Sequence, residues 1–168
     1  MTPDPKTEND FRKDLHNSNM DGIYSAAMTG LTNSFVTPLG IAMGASSGAI
    51  AMLSSLPALI GSYSQLLASK LVSFVPNRRK IIVVSAFVQA LSWIPIIILP
   101  FVSTSILWLI TLVCVHALLA NLYQPLWTSL MGDIVPQDRR GFFFGRRNKY
   151  IVLFTFISML SAGAVLSY

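Results

Sequence analysis

The chain has 168 residues, of which 53% are hydrophobic and 11% charged, with a formal net charge of +5; soluble chains usually carry about 25% charged residues. Residues 22–69, 81–132 and 150–168 contain no Asp, Glu, Lys or Arg. A soluble domain would need charge on the exposed faces of such segments, so composition excludes that class. The basic excess sits at the ends of apolar segments, which argues for membrane topology rather than a nucleic-acid partner.

Residues 1–21 are polar and of mixed sign. The apolar run behind them is too long for the core of a cleaved signal, so this segment reads as a short, mobile cytoplasmic tail. A helix needs about 20 apolar residues to cross a bilayer. The three uncharged stretches therefore hold two spans, two spans and one. The expected fold is an all-α polytopic membrane helix bundle, with a transmembrane region at 22–168 and spans near 22–43, 47–69, 81–101, 105–131 and 149–168. Connections near residues 44–47 (GASS) and 100–105 (PFVSTS) are only a few residues long, so consecutive helices are antiparallel neighbours. Cys114 is the sole cysteine and lies within a span, which excludes an intrachain disulfide.

In the first span Ser25, Thr29, Thr32, Asn33 and Thr37 share one helical face at about 100° per residue. The hydroxyls can bond their own helix backbone, whereas a buried Asn33 amide needs several partners. GASSG at 44–48 fits the G-x-S-x-G pattern of a hydrolase elbow, yet that elbow requires a strand–turn–helix setting, and here it joins two apolar helices. The same stretch supplies Gly40-x-x-x-Gly44, a spacing common where helices pack closely.

All Lys and Arg residues fall into three groups: Lys6, Arg12 and Lys13; Lys70, Arg78, Arg79 and Lys80; Arg139, Arg140, Arg146, Arg147 and Lys149. Two spans separate successive groups, so all three lie on one side of the membrane. The positive-inside rule makes that side cytoplasmic.

The fourth span carries His116, Ala120, Tyr123, Gln124 and Trp127 along one stripe, with Asn121 and Thr128 at its edge. Pro125 removes a backbone bond in mid-helix and predicts a kink near Asn121. His116 is the one conventional acid–base group in the apolar spans. It reads either as a satisfied packing histidine or as a proton carrier; burial without a partner would hold it neutral. Tyr123 and Trp127 suit a substrate wall or ordinary interhelical packing.

Residues 133–150, DIVPQDRRGFFFGRRNKY, connect the fourth and fifth spans. Pro136 cannot continue a helix interior and ends the fourth helix. Gly141 and Gly145 permit backbone conformations that other residues resist. Phe142, Phe143 and Phe144 suit headgroup depth, with Arg146, Arg147 and Lys149 facing lipid phosphates. Asp133, at a helix C-terminus where the dipole disfavours a carboxylate, calls for a nearby cation such as Arg140.

Asp133, Pro136, Arg140, Gly141 and Gly145 spell D-x-x-P-x-x-x-R-G-x-x-x-G, which resembles the connection between helices four and five of major facilitator superfamily transporters. DGIYSAAMTGLTNSFVTPLGIAMGAS at 21–46 is similar to a first helix of that superfamily. VPNRRK at 75–80 falls where its members carry a basic loop between helices two and three. The acidic position of the usual family loop is occupied here by Phe74, and its glycines by Lys70 and Asn77, leaving the basic pair.

The resemblance covers five of twelve helices. It implies an N-terminal transporter half whose helices one and four line a central cavity. Thr29, Asn33, Thr37, His116, Asn121, Gln124 and Trp127 then become cavity residues. Arg78, Arg79, Asp133, Pro136, Arg140, Gly141 and Gly145 become a cytoplasmic gate and loop motif, with a purely topological role for Arg78 and Arg79 as the other reading. The expected activity is transmembrane movement of a small solute by alternating access, not catalysis. Neutral cavity residues suit an uncharged or zwitterionic solute. The chain lacks a sixth helix and a second half, so it is expected to be an N-terminal fragment or split piece in the plasma membrane. Its expected partners are the lipid bilayer, the solute and a C-terminal transporter half. A non-transporting membrane scaffold or accessory subunit is the alternative. No cofactor, metal cluster or nucleic-acid motif is expected.

Overall fold

The structure, a computed structural model, describes residues 5–71 and 78–166. Its elements are α1 (Pro5–Leu31), a 3-10 turn (Asn33–Phe35), α2 (Val36–Ala42), α3 (Ser47–Leu71), α4 (Arg78–Leu91), α5 (Trp93–Val102), α6 (Ile106–Ile134) and α7 (Gln137–Leu166). Every regular element among the described residues is helical. Helices satisfy their backbone groups internally, which is what hydrocarbon surroundings demand. Among the described residues, four apolar stretches have the length and composition to span a membrane: Ser47–Ala68, Ile82–Val102, Ile106–Ile134 and Gln137–Leu166.

The expected first span is interrupted. α1 already begins at Pro5, within the segment expected to be a mobile tail, and ends at Leu31. Pro38 accounts for the break, because it offers no N–H to the carbonyl of residue 34 and its ring crowds that carbonyl. The backbone tightens into the 3-10 turn one turn upstream, and Pro38 lies in the first turn of α2, where proline is tolerated. α4 and α5 are split in the same way at Ser92, three residues before Pro95. There Ser92 N–H is shared between the carbonyls of Val88 (3.0 Å) and Gln89 (3.2 Å). Pro57 and Pro125, by contrast, lie inside the continuous helices α3 and α6.

Chain reversals fall close to the expected places. Gly44, at φ +85°, follows α2 as a left-handed cap: Ala45 N–H reaches Gly40 O and Gly44 N–H reaches Ile41 O, each at 2.9 Å. This crossed pair closes the orphan carbonyls of the helix end. After α5, Ser103 turns extended, and its hydroxyl accepts from Ser105 N–H at 3.2 Å.

The largest difference concerns residues 137–148, expected as a loop before a span beginning at Lys149. They form the first turns of α7. Pro136 does end the preceding helix, since α6 stops at Ile134, but it also sits immediately before α7. Asp138 stands in α7's first turn, where a carboxylate complements the dipole. Gly141 and Gly145 are ordinary helical residues.

Two compact units emerge, residues 1–36 with 134–168, and residues 37–133. In the first, α1 packs along α7. Arg147 Nε donates to Ser18 O at 3.2 Å, Thr155 Oγ1 donates to Ala26 O at 3.4 Å, and Gly30 lies against Thr155 and Ser158. Contacts climb both helices together, so α1 and α7 are parallel. In the second unit Leu53 and Leu109 both approach Gly40, and farther along Ser64 Oγ donates to Leu118 O at 3.3 Å. α3 and α6 are parallel by the same reasoning. Spans one and five, and spans two and four, must each be parallel if every connection reverses the chain.

Candidate functional site: the polar seam of α6

Within the second unit, α6 directs two sets of polar side chains into its neighbours. Toward α3, Asn121 Oδ1 accepts from Gln65 Nε2 at 2.7 Å, while Asn121 Nδ2 donates to Ala117 O at 2.7 Å. Gly61 makes this possible: a Cβ there would lie 2.5 Å from Asn121 Nδ2. Ser64, 1% exposed, has one proton for two carbonyls, Gly61 O at 3.0 Å and Leu118 O at 3.3 Å. Of these, the Gln65–Asn121 and Ser64–Leu118 bonds join α3 to α6, and the buried Ser64 hydroxyl would otherwise be desolvated without a partner.

Toward the α4–α5 break, His116 is 4% exposed and Trp93 8% exposed, with ring centroids 4.5 Å apart and planes tilted by 53°. His116 Nδ1 lies 2.8 Å from Ser92 Oγ, and Ser92 Oγ donates to Gln89 O at 2.6 Å. The hydroxyl has one proton, and a carbonyl can only accept. With the Ser92 proton on Gln89 O, Nδ1 is the donor to Ser92, and a neutral ring with that tautomer presents Nε2 as an acceptor. His116 Nε2 and Trp93 Nε1 are both buried without a hydrogen-bond partner among the described residues. Such atoms are uncommon in native folds and call for an explanation.

The other expected cavity residues are more dispersed. Trp127 is buried at 7% exposure, while Gln124 is exposed, its carbonyl accepting from Thr128 Oγ1 at 2.9 Å. Thr29 Oγ1 bonds Ser25 O at 2.9 Å, a back-bond within its own helix. Asn33 is exposed in the 3-10 turn, and Thr37 is half-buried in α2. A 3-10 turn advances about 120° per residue instead of 100°. The periodic face expected through residues 25–37 therefore loses its phase between Thr29 and Thr37, which also fall in different units.

Among the loop-motif residues, Arg78 and Arg79 open α4; their side chains, together with residues 72–77, lie outside the described residues. Asp133 is exposed near the end of α6. Arg140 Nε donates to Val135 O at 2.9 Å, reaching back across Pro136 from α7. Positions 141 and 145 open onto free space, with nothing within 4 Å of an added Cβ.

Ser92, Trp93 and Gln65 are absent from the expected site because one-dimensional spacing does not reveal which polar residues meet between helices. Two signals were present: Pro95 marks a break at Ser92, and Gly61 one turn before Gln65 marks room for a partner.

The family model of the Major Facilitator Superfamily matches residues 22–168. No curated protein and no solved structure matches the chain. The chain belongs to the Major Facilitator Superfamily, a family of multi-pass membrane transporters.

Proposed function

We propose that this member of the superfamily moves a small uncharged or zwitterionic solute by alternating access, with the buried seam of α6 forming part of the solute path. The unpartnered pair His116 Nε2 and Trp93 Nε1 carries this reading. One is an acceptor and the other a donor, so a solute hydroxyl could give its proton to His116 and accept from Trp93. Asn121, Gln124 and Trp127 on α6, with Thr37 on α2, are the further contacts in this proposal. Neutral lining favours neutral cargo, because an unpaired charge at membrane depth is costly.

Alternating access requires two helix bundles moving about a midplane site. The seven helices described here supply parts of one, so the proposed working unit includes a second transporter half. The proposed setting is the plasma membrane with the arginine-rich segments and N-terminus in the cytoplasm. There Arg78 and Arg79, with the Asp133–Arg140 motif including Pro136, Gly141 and Gly145, would steady the inner gate.

The test is ligand-induced stabilisation of the reconstituted chain across a panel of neutral polyols, zwitterionic amino acids and charged counterparts. A neutral or zwitterionic solute at 100 times its Kd should raise stability by about 2.7 kcal/mol, and H116F should weaken that response at least tenfold. Equal responses from H116F, or stabilisation confined to charged solutes, would refute the assignment. Solute uptake by liposomes containing this chain alone would refute the need for a second half.

A further inference from the structure

A cavity of about 580 Å³ lies inside the first unit, between the N-terminal part of α1 and the start of α7. Arg139, Phe142, Phe143 and Arg146 line it from α7, at the i, i+3, i+4, i+7 spacing that puts side chains on one helical face. Asn19 lines it from α1, and Asp138 belongs to the lining as well.

Position along α7 decides what can reach this cavity. Uncharged sequence begins at Tyr150, and a helix rises about 1.5 Å per residue. Arg146 therefore lies about 6 Å before that boundary, Phe143 and Phe142 about 10–12 Å, and Arg139 about 16 Å. The aromatic pair is farther from the hydrocarbon than the nearest arginine. A lipid anchored by its phosphate at Arg146 would have to turn its chains toward water to cover these rings. The occupant comes instead from the aqueous phase, and it has an apolar part to bury: the Phe142 ring is 76% exposed beside the buried Phe143.

Charge sets the rest. Asp138, the one carboxylate among the described lining residues, stands 3.7 Å from Arg139, which leaves Arg146 without a carboxylate there. One uncompensated cation matches one monoanion, and a guanidinium fork holds a carboxylate through two parallel hydrogen bonds. Ser18 O accepts from Arg147 Nε at 3.2 Å, so the neighbouring Asn19 stands at about the level of Arg146. Asn19 Oδ1 has no hydrogen-bond partner among the described residues, and the amide can turn it toward the cavity without giving up a bond at that atom.

We propose that this cavity binds a water-soluble aromatic carboxylate with an N–H donor beside the acid group. The carboxylate pairs with Arg146, the N–H donates to Asn19, and the ring lies on Phe142 and Phe143. One helical turn, about 4.5–6 Å, separates Arg146 from the two phenylalanines, a span that an aromatic acid substituted next to its carboxylate covers. A phosphate dianion carries one charge more than the lining compensates, and any small inorganic anion leaves the rings uncovered. The site is separate from the solute path proposed for α6.

Calorimetric titration of the purified chain in detergent tests each contact with three probes. N-acetylphenylalanine carries all three groups, its carboxamide lacks the charge, and N-acetylglycine lacks the ring. N-acetylphenylalanine should bind at one site per chain. The carboxamide should bind roughly tenfold or more weakly, the scale for losing charge-assisted hydrogen bonds, and N-acetylglycine about 2–10-fold more weakly, the scale for a lost aromatic pair. R146Q should abolish the preference for acid over carboxamide. F142A should abolish the preference for phenylalanine over glycine and leave N-acetylglycine binding unchanged. Both preferences are ratios within one variant, so a general loss of stability does not mimic them. K70Q, which removes a positive charge from the second unit, and H116F should bind as the unmodified chain does. Absence of saturable binding, equal binding of acid and carboxamide, an unaltered preference in R146Q, or loss of binding in H116F would each overturn the assignment. So would displacement of the ligand by equimolar inorganic phosphate or by phosphatidylglycerol.

Discussion

Gly22 and Arg147 meet across α1 and α7: a methyl group at position 22 would stand 3.2 Å from the guanidinium carbon and two of its nitrogens. The missing side chain gives the arginine a berth, and from there it reaches Ser18 O at 3.2 Å and the Asp21 carboxylate at 3.6 Å. One basic residue thus holds two parallel helices together, although composition assigns it only to topology. R147Q should destabilise the reconstituted chain by about 1.5–3 kcal/mol, the range for a lost hydrogen bond to a charged group. R147K keeps the attraction to Asp21 but lacks the planar fork, and should fall between. G22A asks the guanidinium to yield by only a few tenths of an ångström and should cost little, whereas G22I should displace it and resemble R147Q. Denaturant unfolding of the four variants checks the order.

Asp21 gives the same contact a pH dependence. Burial pushes its carboxyl above the ordinary carboxylate range, and Arg147 opposes that shift without cancelling it. A raised folded-state value means that the associated stability is fully present below the unfolded-state pKa. It is lost as pH rises through the folded-state pKa. Lowering the pH through this window should therefore improve the unmodified chain relative to D21N, in which the other carboxylates still titrate. Since 62% of the Asp21 side chain is exposed, the difference should be modest. Paired thermal unfolding curves from neutral to acidic pH measure it, and a difference that grew in favour of D21N on acidification would contradict the sign.

Gly61 and Asn121 form a second dependent pair. An alanine at 61 places its Cβ 2.5 Å from Asn121 Nδ2, so the amide must rotate and give up its bonds to Gln65 and Ala117. Hydrogen bonds between membrane helices average about 0.6 kcal/mol and reach about 1.7. G61A should cost an amount in that range. Once the amide is gone the extra methyl has space, so G61A/N121A should be no less stable than N121A. A double-mutant cycle showing simple additivity would refute the coupling.

Asp133 and Arg140 carry the proposed gate motif. D133N and R140Q should each reduce transport in the assembled transporter, and their combination should cost less than the sum if the two charges act as a pair. Transport that falls additively would show independent roles. R140Q should additionally lower stability, because Arg140 Nε also bonds Val135 O.

The charge-free stretches made the helices legible: an uncharged run of the length of residues 81–132 has few options in a bilayer other than two spans. The parallel pairing of α1 with α7 and of α3 with α6 follows from the same parity. What the sequence hid was mostly local competition at prolines. Pro38 and Pro95 sit beside breaks while Pro57 and Pro125 lie within continuous helices, and nothing in their immediate neighbours separates the two classes. The arginine segment differs from the expected loop for another reason. Its glycines suggest a loop, yet Pro136 and Asp138 together make a good helix start, so α7 begins twelve residues before the expected span. The site was the least legible part. The stripe on α6 identified His116 and Asn121, but Ser92, Trp93 and Gln65 reach them from helices far away in the chain.

The proposed topology puts all three basic segments on the cytoplasmic side and the turns near Ser46 and Thr104 outside. Site-directed labelling tests it directly: single cysteines at Asn77, Gln137, Ser46 and Thr104, in a C114A background, exposed to a membrane-impermeant maleimide in intact cells. Labelling of Ser46→Cys and Thr104→Cys alone, with Asn77→Cys and Gln137→Cys reacting only after permeabilisation, is the predicted result. Modification of Asn77→Cys or Gln137→Cys in intact cells would contradict it.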